Sequence, residues 1–109
     1  MIRVFDIVSS MIEDKRTKYP IKRERIAEIE ECCKNIELVM EECSSGQVTV
    51  DILEDGSVLI SFVASYIACQ FDEVKLAYID LVENSNSFRL YNVNDGDVCV
   101  EFIFPSVFE

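Results

Sequence analysis

The spacing of apolar residues changes from alternating threes and fours to strict twos near residue 46, and no other feature constrains the fold of this chain as tightly. Before the change, Ile26, Ile29, Cys33, Ile36, Met40 and Cys43 recur at intervals of 3, 4, 3, 4 and 3, which lines one side of a helix. After it, Val48, Val50 and Ile52 alternate with Thr49 and Asp51, and Val58, Ile60, Phe62 and Ala64 alternate with Leu59, Ser61 and Val63. That is the period of strands. Helical signal first and strand signal afterwards points to an α+β fold with the two kinds of element in separate layers.

A shorter stripe of Val4, Val8, Met11 and Ile12, with Phe5, predicts an earlier helix over about 2–17. It should fade by Lys18-Tyr19, because the residue before Pro20 is pushed away from helical dihedrals. Pro20 is tolerated in the first turn of the next helix, expected over about 20–44. Ser44-Ser45-Gly46 supplies its end, with Gly46 free to turn left-handed.

The first two strands form a hairpin. A three-residue loop of Glu54, Asp55 and Gly56 pairs Leu53 with Ser57 and puts Val48, Val50 and Ile52 on the face of Val58, Ile60 and Phe62. A two-residue loop would split those sets, so the longer one is expected, with Gly56 left-handed. A third strand is expected over about Val74 to Val82, then an Asn84-Ser85-Asn86-Ser87 turn and a short strand from Phe88 to Asn92. Asn94-Asp95-Gly96-Asp97 turns the chain into a last strand, Val98 to Phe104, which Pro105 limits. Residues 65–72 read equally as more strand or as one helical turn.

The expected architecture is a single two-layer domain over 1–109, two N-terminal helices packed on one face of a mainly antiparallel sheet of about five strands within 47–104. The other face carries Leu59, Val63, Ile103 and either Leu76, Tyr78 and Val82 or Ala77, Ile79 and Leu81. Apolar residues on both sides of a short sheet suggest a homodimer.

Charge is divided as unevenly as periodicity. Residues 1–46 hold eight Lys/Arg against ten Asp/Glu, whereas residues 47–109 hold only Lys75 and Arg89 against eleven acids, −9 of the net −11. Lys15, Arg16, Lys18, Lys22, Arg23 and Arg25 crowd the junction of the two helices, as a solvated connection or a contact for phosphate or an acidic protein. Repulsion from the whole molecule and the lack of interleaved aromatics argue against nucleic-acid binding.

The residue inventory removes most chemistry. The chain has no histidine, so imidazole acid/base catalysis, Ser-His and Cys-His systems and imidazole metal ligation are excluded. Neither GxGxxG nor GxxxxGK[ST] occurs. The five cysteines, Cys32, Cys33, Cys43, Cys69 and Cys99, lack a CxxC pair, and adjacent Cys32 and Cys33 on a helix point about 100 degrees apart. No metal or cofactor is expected, and the cysteines read as reduced core thiols of a cytoplasmic protein. No apolar stretch approaches the roughly 20 residues of a membrane span, and Asp6, Glu13 and Asp14 interrupt any cleaved leader.

What remains is a non-enzymatic acidic protein-binding domain, an inhibitor or adaptor of a basic protein that Asp51, Asp80, Glu83, Asp95, Asp97 and Glu101 would attract. The alternatives are a structural homodimer without a heterologous partner and a small enzyme using paired carboxylates, which requires two of these acids to adjoin across strands.

Overall fold

The computed structural model describes residues 3–15, 20–42, 47–65, 72–94 and 96–108. In chain order the elements are α1 (Val4–Lys15), α2 (Arg23–Glu42), β1 (Val48–Ile52), β2 (Val58–Ser65), α3 (Asp72–Asn84), β3 (Ser87–Asn94) and β4 (Asp97–Phe104). The strands form one antiparallel sheet in the order β1-β2-β4-β3. Two N-terminal helices pack on this sheet as a two-layer α+β domain, as the switch in period implies.

The hairpin follows the expected register. Gly56 is left-handed at φ 88°. Its amide donates to the Leu53 carbonyl at 2.9 Å, and the Leu53 amide donates to the Ser57 carbonyl at 2.9 Å. Ile52 therefore faces Val58, and Val48, Val50 and Ile52 share a face with Phe62 and Ile60. The Asp55 carboxylate accepts from the Ser57 amide at 2.9 Å, and that bond pulls its pKa below the ordinary value.

The expected third strand, Val74 to Val82, is instead the helix α3, so the sheet has four strands and not about five. Val74, Ala77 and Leu81 are buried and Tyr78 half-buried, a spacing of three and four, while Lys75, Leu76, Ile79, Asp80, Val82 and Glu83 are exposed. A run rich in Val, Ile, Leu and Tyr satisfies either period, and packing against α2 selected the helical one. The Asn84-Ser85 step, expected to join two strands, closes this helix: Asn84 Nδ2 donates to the Asp80 carbonyl at 2.8 Å and Ser85 Oγ to that of Val82 at 3.0 Å.

The long helix starts at Arg23, not at Pro20. The chain at Ile21 bridges to Phe108, and the Lys22 amide donates to the Val107 carbonyl at 2.8 Å, so the C-terminal tail holds the backbone that would have formed the first turn. The tail also explains why Val107 and Phe108 are buried. On α2 the buried stripe is wider than expected, adding Cys32 and Val39 to Ile29, Cys33, Ile36 and Met40, because α3 covers its flank. Glu37 of α2 caps α1, accepting from the Val4 amide at 2.6 Å. Cys43, the 44–46 helix end, the Lys18-Tyr19 step and most of the 65–72 segment lie outside the described residues.

The helices lie on the face of Val58, Ile60, Phe62, Val98, Val100, Phe102 and Phe104, all buried. Across the sheet, α1 packs over β1, α2 over β2 and α3 over β4. On the other face, Leu59, Ser61, Val63, Cys99, Glu101 and Ile103 of the two central strands are half-buried. The apolar set from 76–82 expected there belongs to α3.

Candidate functional site: an apolar groove beside an edge strand

Helix coverage stops short of the last strand. Phe88 and Leu90 of β3 face the helix layer, since they pair with buried Phe102 and Val100, yet they remain 40% and 50% exposed. Opposite them, α3 turns Ile79 and Val82 outward, 55% and 42% exposed. Between the two runs an open groove of about 500 Å³. Its wall is Tyr78, Ile79, Val82 and Glu83, and its floor Phe88, Leu90 and Val98. The floor joins the core through its rings: Phe88 sits 5.1 Å from Phe102, which in turn meets Tyr78 at 6.3 Å and Phe104 at 5.8 Å.

The lining is apolar apart from two side chains. Its ionisable members are Tyr78 and Glu83, with no thiol or amine among them. Leu76, 68% exposed, extends the apolar surface along the helix, whereas Tyr91, 45% exposed, pairs with Cys99 and lies on the other face of the sheet beside Arg89. Exposed apolar groups gathered in this way mark an interaction surface more often than scattered ones do.

The acids singled out from the sequence are not gathered. Asp51 projects from β1 on the face away from the helices and accepts from the Ile52 amide at 2.8 Å. Glu101 is on that same face but β2 lies between them, so the two carboxylates do not adjoin as paired acid/base catalysis requires. Glu101 instead meets Arg89 across the strands at 3.7 Å. Asp80 stands on exposed α3, where Asn35 Nδ2 donates to it at 2.5 Å and ties α3 to α2. Asp97 opens β4, and Asp95 lies outside the described residues. Of the five that are described, Glu83 alone lines the groove.

The remaining chemical candidates fall into structural places. Burial, with Asp80 second, pushes the Cys32 thiol up to about 11, and burial pushes Cys33 higher still. Both are neutral thiols at neutral pH, poor as nucleophiles or metal ligands. Among the described residues no group of three or more Cys, Asp or Glu is placed to hold a metal ion, and no helix is long and apolar enough to cross a membrane. In the basic stretch, Arg25 pairs with Glu28 on its own helix, and Arg16 and Lys18 lie outside the described residues.

From the sequence, Ile79 and Val82 are expected only in alternative sets on the outer sheet face, and Phe88 and Leu90 only as part of a short strand. Their signal was present in the apolar Leu76, Ile79 and Val82, which are left over once Val74, Ala77 and Leu81 are assigned to a buried helical stripe. No protein-family profile, curated protein or solved structure matches the chain.

Proposed function

We propose that this domain is a non-catalytic protein-binding module that takes an apolar segment of a basic protein into the groove between α3 and β3. The observation that carries this reading is the groove itself, apolar except for Glu83 and Tyr78 and set in the region that holds −9 of the net charge of −11. Apolar area there supplies the contact. The acidic field speeds encounter with a positive surface and rejects acidic competitors.

The test compares the native chain with Ile79→Asp in the groove and Thr49→Asp on the opposite face, both at exposed positions that can accept a charge. Proteins captured from cell extract on the native chain are purified and titrated against all three. The expected result is a basic partner whose binding weakens with salt and falls about a hundredfold or more for Ile79→Asp, as for removal of a contact worth about 3 kcal/mol, with Thr49→Asp unaffected. A partner held equally by Ile79→Asp overturns the groove as the binding surface. A chain that captures only its own copies overturns the basic partner in favour of the homodimer.

A further inference from the structure

We propose that the partner binds as an added β-strand on the free edge of β3, with alternate side chains descending into the groove; this rests on the reading that the groove docks a basic protein. β3 is the last strand in the order β1-β2-β4-β3, so among the described residues one side of its backbone pairs with β4 and the other pairs with no strand. Its eight residues span about 26 Å at about 3.3 Å per residue, room for a full-length strand. Unpaired amides and carbonyls along such an edge are a template for another chain.

Edges that must stay free are usually blunted by lysine, proline, inward charge or a central bulge. β3 has neither lysine nor proline. Its charged residue, Arg89, is engaged with Glu101 and lies over the Tyr91 ring at 5.8 Å. The register shift lies between Asn92 and Asn94, at the far end of the strand, which leaves Ser87 to Asn92 regular. The opposite edge, β1, is only five residues long and has α1 packed on it.

The pleat then dictates the sequence of the added segment. Side chains on the helix face would sit beside Phe88 and Leu90 and against Ile79 and Val82, so every second residue should be aliphatic or aromatic. Lysine or arginine at the ends of that run would meet Glu83 and the acidic field of residues 47–109. A second copy of this chain fits less well, because it brings another −11 of like charge to the same edge.

The experiment is selection from a displayed library of random peptides about twelve residues long, followed by amide hydrogen exchange on the full chain with the selected peptide. The expected selection has apolar residues at every second position with flanking Lys or Arg. The peptide should slow exchange at alternate β3 residues between Ser87 and Asn92, and N-methylation of the peptide amides that face β3 should weaken binding by about tenfold or more, whereas methylation of the intervening amides should not. Peptides with apolar spacing of three and four, or β3 exchange unchanged while Ile79→Asp abolishes binding, overturn strand addition and leave groove docking standing. Peptides indifferent to Ile79→Asp overturn both. Failure to select any peptide, with β3 protection that instead rises with the concentration of the chain itself, identifies the added strand as a second copy and overturns the basic partner.

Discussion

The two edges of the sheet begin from similar sequences and end differently. β1 and β3 each set alternate apolar residues on the helix face, but Ile52 is 5% exposed whereas Phe88 and Leu90 are 40% and 50%. The difference is not in hydrophobicity. β1 has α1 above it, and the hairpin that follows it is pressed on by the C-terminal tail; β3 has only the near side of α3. Burial on a sheet face is therefore set by which helix the chain returns over it, and an edge without one keeps its apolar area exposed.

The strongest way to break this comparison is to truncate two rings that touch across it. Phe102 is fully buried among Phe62, Phe88, Phe104 and Tyr78, whereas Phe88 is one of the exposed groove residues. Phe102→Ala should cost about 3–5 kcal/mol in denaturant unfolding, as for a large cavity in a packed core. Phe88→Ala should cost about 1 kcal/mol, from partial burial and one aromatic contact. Equal losses would mean that the groove belongs to the core and is no vacancy for a partner.

A second pair, smaller in effect, contrasts the two left-handed glycines. A Cβ on Gly56, φ 88°, would collide with Ser106 Oγ and lie 3.1 Å from the Phe108 ring. The Ser106 hydroxyl is not free to turn away, because it accepts from the Phe108 amide at 3.1 Å. Gly56→Ala should therefore cost about 2–3 kcal/mol, dihedral strain plus displacement of the tail. Gly96, φ 83°, has nothing near its absent side chain, so Gly96→Ala should cost only about 1 kcal/mol from the dihedral. Thermal or denaturant midpoints measure both, and a Gly56→Ala loss no larger than that of Gly96→Ala would show that the tail does not clasp the hairpin.

What the sequence made legible follows the range of the forces involved. The β1-β2 hairpin could be read down to its register, because the Glu54 to Gly56 turn and the alternation beside it are local and agree. Residues 74–82 could not, since their apolar run fits two periods and the deciding contact, with α2, is about forty residues away in the chain. The start of α2 was hidden for the same reason, being decided by Val107 and Phe108. Misreading α3 as a strand then concealed the groove, because its wall requires Ile79 and Val82 on one side of a helix. The acids were legible as charge and illegible as a surface: Asp51 and Glu101 fall on one face of the sheet and Asp80 and Glu83 on the helix layer.

The smallest effect sharpens how β3 is held. Among the described residues β3 is joined to the sheet only through β4, and on the outer face the charged contact of that pairing is Arg89 with Glu101. The N···O distance is 3.7 Å, and the Arg89 side chain is 67% exposed against 16% for Glu101. Solvent around the guanidinium screens most of the attraction, so a double-mutant cycle with Arg89→Ala and Glu101→Gln should give a coupling of about 0.2–1 kcal/mol. Arg89→Ala alone should cost more than Glu101→Gln alone, because it also removes the cation from the Tyr91 ring and leaves the more buried carboxylate without its partner. The coupling should shrink further in added salt. A coupling well above this range, insensitive to salt, would mean that an ion pair pins β3, whereas the weak value leaves backbone pairing and the Phe88–Phe102 contact to hold a strand whose other edge stays open.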